Sequence, residues 1–503
     1  MARIAITRLP GHTIMTHALL LLSALLFGAD AVPRSWPGFL GRGATPVDPA
    51  SIPLSWSHTE NIAWKTKLPG KGQSSPVIWD QRVFTTSIEG SMKETCHVLA
   101  LDLQTGGLVW DRAIPASQTV RSNYFQSRSA PTPLVDAERV YAFFETGNLL
   151  ACNHSGEILW QRSLTDDFGP FESNIGLAAS PLLVDDLVVL LIDHEGPSYL
   201  LAVDAATGKT RWKTDRDSRK SYASPSLLAI GGKPQIVCSS DGSVDGYDPT
   251  TGTRLWTFDD VGGNTSFTPL AVADGRFLIA AAPGMHNERE ARAKRSNLCL
   301  RIDLTDQGYV PTVEWRTDQA LPSFASPYAY LGRAYWINRA GVVFCFDAQT
   351  GEKKYAQRTK QPVWVTPVGI GDRLYVFGKD GLTTVLETGD EFKVVAENML
   401  WDPEDAGTDP FGRERAAAAD TGGRGPATDP AKTQTDGRAA EGTESRRPAM
   451  SDKERDEARA RGENRFPDPV QYGVAIVNGS VVIRTGETMY CVRQISPLSE
   501  KAK

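Results

Sequence analysis

The stretch Ala202-Val203-Asp204-Ala205-Ala206-Thr207-Gly208-Lys209-Thr210-Arg211-Trp212 contains the pattern that decides the fold. A small residue, an Asp, a Thr-Gly pair and a Trp stand in it at fixed offsets. The apolar run before Asp204 is typical of a strand, and Thr-Gly is typical of a tight turn in which Gly208 supplies a positive φ. The stretch therefore predicts a β-hairpin whose second strand carries Trp212.

The same pattern recurs along the chain. A second full copy runs from Ala100 to Trp110, and a copy at Thr388-Gly389 has no Trp. The other copies occupy the segments 151–160, 246–256, 302–315 and 346–355. Neighbouring Thr/Ser-Gly pairs stand 38 to 52 residues apart where no copy is skipped. This spacing is typical of the blades of a β-propeller.

A Ser/Thr-Pro marker opens an apolar run before each copy. The markers are Ser75-Pro76, Thr132-Pro133, Ser180-Pro181, Ser224-Pro225, Thr268-Pro269, Ser326-Pro327 and Thr366-Pro367. Pro at the first residue of a strand removes no ladder hydrogen bond that the sheet needs. Each unit therefore reads as four antiparallel strands, and seven units are visible.

An eighth blade is predicted from the two ends of the chain. Residues 474–493 supply three strands without a closing Trp, and residues 61–67, with Trp64, supply the fourth. With residues 401–469 set aside, residues 61–493 give roughly 46 residues for each of eight blades. We predict an all-β, eight-bladed propeller in which the terminal strands share one blade; seven blades are the alternative.

The aromatic residue of each copy is expected to dock one blade on the next. A Trp ring that stacks flat between neighbouring blades buries roughly 150–250 Å². The predicted docking residues are Trp64, Trp110, Trp160, Trp212, Trp256, Trp315, Gly106, Gly208, Gly252 and Gly351. Asp303 stands at the Asp position of the copy with an insertion, where we expect it to hold the following turn.

The N-terminus predicts export. Arg3 and Arg8 precede the apolar run 18–27, and Ala29-Asp30-Ala31 offers a cleavage site, so residues 1–31 read as a signal peptide. The run is too short for a roughly 30 Å bilayer core, and no Cys follows it. We expect a periplasmic or secreted chain without lipid or membrane anchor. The remaining predicted segments are an N-terminal segment 32–60, blades 61–400, an insertion 401–469, last-blade strands 470–493 and a tail 494–503.

Composition narrows the function further. The net charge of −6 and the lack of a basic stripe argue against nucleic acid as a partner. Residues 401–469 contain no Val, Ile or Leu, which predicts a disordered loop. The six cysteines lie far apart on separate strands. We interpret them as small buried apolar residues, with one or two disulfides as the alternative.

Loop lengths predict where a ligand binds. The long connections 88–94, 114–130, 163–178, 284–297 and 401–469 all fall on one face, here called the long-loop face; the opposite face is the tight-turn face. Polar and aromatic residues before the markers should rim the channel on the long-loop face. The candidate ligand-binding residues are Arg121, Asn123, Arg128, Glu172, Asn174, Tyr222, Asn264, Phe324 and Trp364.

The Ala-x-Asp-x-x-Thr-Gly-x-x-x-Trp copies resemble the tryptophan-docking motif of propellers of the pyrroloquinoline-quinone (PQQ) type. One class with this fold comprises quinoprotein dehydrogenases, which the resemblance associates with PQQ, a calcium ion and a disulfide between adjacent cysteines. This sequence has no Cys-Cys pair. The other class comprises non-enzymatic envelope propellers of the BamB type, although BamB is a lipoprotein and no lipidation Cys is present here.

We therefore expect an exported, monomeric, non-catalytic binding or scaffold protein with a protein or polysaccharide partner. No catalytic residue, metal site or cofactor is expected. One alternative is a PQQ- and calcium-dependent oxidoreductase, in which Glu172, Asn174 and Asn264 would resemble the calcium ligands. A second alternative is a carbohydrate-binding module.

Overall fold

The computed structural model describes residues 34–41, 45–120, 128–173, 176–262, 267–282, 287–402 and 471–495. These residues belong to one unit, Arg34–Lys503. The predicted signal peptide lies outside them, as does the insertion apart from Trp401 and Asp402. Within the described part of the chain, no helix is long and apolar enough to cross a membrane.

Eight antiparallel sheets form blades around a central channel, which confirms the predicted eight-bladed propeller. Each blade has four strands, and its first strand in the order below lies at the channel. Blade 1 contains β3 (Val77–Trp79), β4 (Arg82–Glu89), β5 (Thr95–Asp102) and β6 (Leu108–Pro115). Blade 2 contains β7 (Leu134–Val135), β8 (Arg139–Phe143), β9 (Asn148–Asn153) and β10 (Ile158–Ser163). Blade 3 contains β11 (Leu182–Val184), β12 (Leu187–Ile192), β13 (Ser198–Asp204) and β14 (Thr210–Arg216).

The next four blades repeat this order. Blade 4 contains β15 (Ser226–Ile230), β16 (Lys233–Ser240), β17 (Ser243–Tyr247) and β18 (Arg254–Phe258). Blade 5 contains β19 (Leu270–Ala273), β20 (Arg276–Ile279), β21 (Asn297–Thr305) and β22 (Gly308–Thr317). Blade 6 contains β23 (Tyr328–Tyr330), β24 (Arg333–Ile337), β25 (Val342–Asp347) and β26 (Lys353–Arg358). Blade 7 contains β27 (Val368–Ile370), β28 (Arg373–Phe377), β29 (Leu382–Glu387) and β30 (Lys393–Met399). Two short helices, α1 (Leu164–Phe168) and α2 (Asn287–Lys294), lie in connections on the long-loop face.

Blade 8 joins the two ends of the chain, as predicted. It contains β31 (Gly473–Val477), β32 (Ser480–Arg484), β33 (Thr488–Val492) and β2 (Ile62–Lys67). Strand β2 pairs antiparallel with β33, with Trp64 opposite Cys491 and Lys67 opposite Thr488. The closed ring leaves no blade without a neighbour on either side, and the seven-blade alternative is wrong.

The docking contact has the same geometry at five blade interfaces. The indole N–H of Trp64 donates to the Leu103 carbonyl at 2.9 Å, and the ring lies against Gly106. In each case the ring packs on the turn glycine of the next blade, and the indole bonds the carbonyl that follows the Asp or Asn of the motif. The other four pairs are Trp110 with His154, Trp160 with Ala205, Trp212 with Pro249 and Trp315 with Ala348.

The Asp of the motif holds the turn on which the ring packs. Asp204 Oδ1 accepts hydrogen bonds from the Thr207 backbone N–H at 2.9 Å and from its hydroxyl at 2.8 Å. The Thr207 hydroxyl is the main cause of a lowered pKa at Asp204. In blade 2, Asn153 holds the corresponding turn through its side-chain oxygen. A side-chain oxygen that accepts the N–H groups of the turn is therefore sufficient to hold it, and the negative charge of Asp adds to these hydrogen bonds.

Blade 5 departs from the pattern. Its outer hairpin continues to Thr305 and Gly308, so Asp303 lies inside β21 opposite Val310 and binds Arg301 at 2.7 Å. Our expectation that Asp303 holds a turn is wrong, because the insertion extends the strands past the usual turn position. Trp256 therefore finds no turn carbonyl in blade 5. Its indole instead donates to Gln235 Oε1 of its own blade at 2.7 Å.

The Ser/Thr-Pro markers form a belt around the channel. Each backbone N–H donates to the hydroxyl of the marker in the next blade, from Ser75 to Thr132 and onward to Thr366, over 2.9–3.1 Å. Gly473 occupies the eighth position, where a Cβ atom would collide with Ser75. The belt thus couples the innermost strands through buried, satisfied polar groups.

The N-terminal segment enters the channel. Strand β1 (Ser35–Trp36) pairs with β3, the innermost strand of blade 1. A 3-10 turn at Phe39–Gly41 follows. Beyond it, the backbone N–H of Thr45 donates to the Ser35 carbonyl at 3.1 Å. We call residues 35–41 the plug. The sequence did not predict that the plug enters the channel. The free edge of β3 with which it pairs faces a channel that exists only in the assembled ring.

The six cysteines are buried and free. Burial raises the pKa of Cys96 and of Cys238 to about 12, so both thiols stay protonated at neutral pH. They act as small apolar residues, and the disulfide alternative does not hold.

Substitution of the docking glycine tests the interface between blades. Gly208 has φ +69, and a Cβ there would lie 2.5 Å from the Trp160 ring. Gly232 has φ +72 with nothing within 4 Å of a Cβ. We expect Gly232→Ala to cost about 1–2 kcal/mol for the positive φ. Gly208→Ala should cost about 1–3 kcal/mol more, because the ring must also shift. Urea unfolding would measure both, and equal losses would contradict the docking role.

The turn aspartates should contribute a stability that depends on pH. The folded-state pKa values of Asp204 and Asp347 are lowered, by Thr207 and Thr350 respectively. Their contribution is therefore present above the unfolded value of roughly 3.9 and is lost as the pH falls through the folded values. We expect the double variant Asp204→Asn/Asp347→Asn to lose more unfolding free energy at pH 7 than near pH 3. Asp217→Asn, at an exposed side chain, is the control; an equal loss at both pH values would contradict the assignment.

Candidate functional site

Aromatic side chains surround the channel opening on the long-loop face. Tyr222, Phe324, Trp364 and Tyr472 come just before the innermost strands of blades 4, 6, 7 and 8 and line a cavity of about 110 Å³. The Phe324 and Trp364 ring centroids are 5.5 Å apart, and those of Trp364 and Tyr472 are 6.2 Å apart. Phe324 is 46% exposed, so the aromatic surface is accessible to a partner.

Two cations border these rings. Arg128 Nη2 lies 3.4 Å from the Tyr472 hydroxyl, and Lys379 Nζ lies 5.0 Å from the Trp364 ring centroid. Both side chains are largely buried, so their charges are less screened than those of surface residues. We call these six residues the mouth cluster: Tyr222, Phe324, Trp364, Tyr472, Arg128 and Lys379. Such a cluster can bind aromatic or apolar groups together with carboxylates.

A buried ion pair supports Arg128. Lys93 Nζ lies 3.1 Å from Glu145 Oε1, and both side chains are inaccessible to solvent. Glu145 also accepts the Ser129 backbone N–H at 2.8 Å. Ser129 has φ 48, a conformation that few non-glycine residues adopt, so this hydrogen bond holds the backbone beside Arg128 in place.

The plug forms the floor of the cavity. Trp36, Phe39 and Leu40 line it from inside the channel. The Trp36 indole N–H is buried and has no hydrogen-bond partner among the described residues. The volume above the plug accommodates roughly three or four water molecules, so a larger ligand must bind outside it, on the rings.

Glu172 does not line the cavity at the mouth cluster and lies in the connection before blade 3. Its backbone N–H donates to His194 Nδ1 at 3.1 Å, and Gly196 donates to the same nitrogen at 3.0 Å. Burial lowers the pKa of His194, which keeps this nitrogen an acceptor. The Glu172 side chain is exposed. His194 therefore has a structural role in holding the loop.

The structure brings four of the predicted rim residues together: Arg128, Tyr222, Phe324 and Trp364. Arg121, Asn123, Asn174 and Asn264 lie outside the described residues. Tyr472 and Lys379 were not predicted. Tyr472 directly precedes an innermost strand, which is a usable signal, although its blade begins with Gly473 in place of a marker. Lys379 lies between β28 and β29 and has no comparable signal.

Few groups that could bind a metal ion lie at the channel among the described residues. Within the described ranges, no group of three or more His, Cys, Asp or Glu side chains could hold a metal ion. The plug occupies the channel beneath the rings, and the six cysteines are dispersed. Asp136, the one carboxylate among the described residues that line the channel cavities, is occupied by its own turn.

Comparisons with known proteins agree with this geometry. Residues 55–228 match the family described as outer membrane protein assembly factor BamB. The chain is 28% identical over 202 residues to BamB of Burkholderia pseudomallei (strain K96243), covering 39% of this chain and 47% of the relative. It is 26% identical over 215 residues to BamB of Salmonella typhimurium, covering 42% and 49%. The chain spans about half the length of the curated relatives it matches.

A solved structure extends the likeness to most of the ring. BamB from Moraxella catarrhalis aligns with a TM-score of 0.52 at 13% identity, over 86% of this chain and 99% of that chain. At this identity the likeness establishes the fold alone. Eight blades, with Trp rings docked on turn glycines at five interfaces, define the class as eight-bladed β-propellers. Within that class, the chain is similar to propellers of the BamB type over residues 55–228.

Substitution of Lys93 tests whether its buried ion pair with Glu145 stabilises the structure beside Arg128. Lys93→Met leaves the Glu145 carboxylate buried without its cation, and we expect a loss of about 3–5 kcal/mol of unfolding free energy. Lys93→Met/Glu145→Gln should recover part of that loss, because no charge then remains buried. Lys65→Met, at an exposed side chain, should cost under about 0.5 kcal/mol. Denaturant unfolding measures all three; a double variant as unstable as Lys93→Met would contradict the ion-pair assignment.

Proposed function

We propose that the protein is an exported, non-catalytic propeller of the cell envelope that binds a partner protein over its long-loop face. The observation that carries this proposal is the mouth cluster, where accessible rings stand beside two largely buried cations. Trp, Tyr and Arg are the side chains that contribute most to protein interfaces. The names of the matched relatives, outer membrane protein assembly factors, support a protein as the partner.

The chemistry of the cluster favours one kind of partner segment. Phe324 and Trp364 offer apolar ring faces, whereas Arg128 and Lys379 offer positive charge. An extended segment with an aromatic or aliphatic side chain and a neighbouring carboxylate would match the apolar rings and the positive potential beside them. The rings lie on rigid blade ends, which lowers the entropy cost of ordering a binding surface.

We also propose that this function requires neither PQQ nor calcium. The plug and the dispersed cysteines support that view. A monomer fits the same picture, since the closed ring leaves no blade interface unmatched.

Capture of partners by paired variants tests the proposal. The chain from residue 32 would be immobilised and exposed to envelope proteins, and bound proteins would be quantified by mass spectrometry. We expect Phe324→Ala/Trp364→Ala to reduce capture of its specific partner at least tenfold. Leu331→Ala is the matched control, because Leu331 is 60% exposed on the tight-turn face. Equal capture by both variants would contradict the proposed surface.

A parallel assay separates the alternatives. Stoichiometric binding of PQQ with Ca²⁺ and dye-linked oxidation of an alcohol or aldose would contradict the non-catalytic function. Binding to a glycan array that disappears in Phe324→Ala/Trp364→Ala, without any protein partner, would favour the carbohydrate-binding alternative instead.

A further inference from the structure

A second, larger cavity occupies the tight-turn end of the channel. Its volume is about 710 Å³, within the range of small-molecule sites. Innermost strands of blades 1 to 6 form its wall. The main lining residues are Trp79, Leu134, Leu183, Leu227, Leu270 and Tyr328. We call this cavity the cup.

Two polar groups of the wall, on Asp136 and Tyr328, are already hydrogen-bonded. Asp136 accepts the backbone N–H groups of Glu138 and Arg139 and the hydroxyl of Tyr141 at 2.7–2.8 Å. The Tyr328 hydroxyl accepts the Gly369 N–H at 3.1 Å. The wall therefore favours an aliphatic chain over a polar ligand, because a polar group placed there would lose its hydration without a new partner.

The cup is closed at one end and open at the other. Pro37, Gly38 and Phe39 of the plug line its inner end, so a ligand must enter from the tight-turn face. Leu331, in the turn between β23 and β24, is 60% exposed there and has φ 45. An exposed apolar side chain in this uncommon conformation adds apolar surface on the face through which a ligand enters.

Carboxylates dominate the inner turns of the same face. Asp80, Asp185, Asp186, Asp274 and Asp372 are exposed in the turns that follow the innermost strands of blades 1, 3, 5 and 7. Asp186 is paired with Arg211 at 3.0 Å and Asp372 with its neighbour Arg373 at 3.7 Å, whereas Asp80, Asp185 and Asp274 have no ion pair within 4 Å among the described residues. Arg82, Arg276 and Arg333 are instead paired with carboxylates of outer strands.

We propose that the cup binds an amphiphile whose alkyl chain enters the channel and whose positively charged end stays among these carboxylates. The apolar wall binds the chain because each CH₂ group buried there is removed from water. The carboxylates select the head, because they attract a cation and repel an anion. This site is separate from the mouth cluster, on the other side of the plug, and does not depend on the function proposed above.

Three amphiphiles with the same tail test the proposal. Dodecyltrimethylammonium, dodecyl maltoside and dodecanoate would be titrated, below their micelle concentrations, into the chain from residue 32 by calorimetry. We expect one site, with the cation binding at least tenfold more tightly than the anion and the neutral head in between. Dodecanoate binding as tightly as the cation would overturn the proposal, as would the lack of saturable binding by any of the three.

Variants separate tail from head. Ala271→Trp places a ring in the cup and should weaken all three ligands at least tenfold, whereas Ala113→Trp, on exposed β6, should not. Asp80→Asn/Asp185→Asn should reduce the ratio of cation to anion affinity to about threefold or less, and dodecyl maltoside binding should not change. Both positions have φ 50, which Asn tolerates. Circular dichroism would verify folding. Wild-type affinities in Ala271→Trp, or an unchanged ratio in the Asn variant, would contradict the site.

Discussion

The contact between a Trp ring and the turn of the next blade is the interaction on which the rest of the ring depends. A single blade is a twisted four-stranded sheet that leaves both faces apolar, so it is stable only against neighbours. The ring of Trp160 covers the turn at Gly208, and its indole N–H satisfies the carbonyl of Ala205. One side chain thus sets the distance and the angle between two blades. Repeated at five blade interfaces, this constraint positions the innermost strands of the blades that it joins.

The channel enclosed by the docked blades has two compartments. The hydroxyl belt joins the innermost strands at one level, and the plug occupies the channel beside it. On the long-loop side, rings and cations lie together because an aromatic residue precedes the innermost strand in four of the blades. On the tight-turn side, the innermost strands of blades 2 to 5 present leucines to a cavity that is closed only at the plug. A propeller can therefore carry two chemically different sites on one axis without any change in its blades.

Much of the fold could be predicted because the information is local and repeated. The Thr-Gly turns, the markers and the shared blade at the chain ends each rest on a few adjacent residues. Asp303 shows the limit: the longer outer hairpin of blade 5 places this Asp in a strand instead of a turn, and the sequence motif does not record the shift. The different hydrogen-bond acceptor of Trp256 has the same cause. The usual acceptor is a turn carbonyl of the next blade, and blade 5 has no such turn at this position. Arg128, Tyr222, Phe324 and Trp364 could be placed at the rim from loop order alone, but not their distances.

The sequence by itself determined the way in which the blades dock and the joining of the two chain ends, and it favoured eight blades over seven, since periodic patterns specify strands and turns directly. Only the tertiary structure decided that residues 35–41 enter the channel, that Lys379 lies over Trp364 and that Lys93 pairs with Glu145. The physical reason is that each of these contacts joins residues from segments with no shared local pattern. Their proximity exists only once eight docked blades have closed the ring.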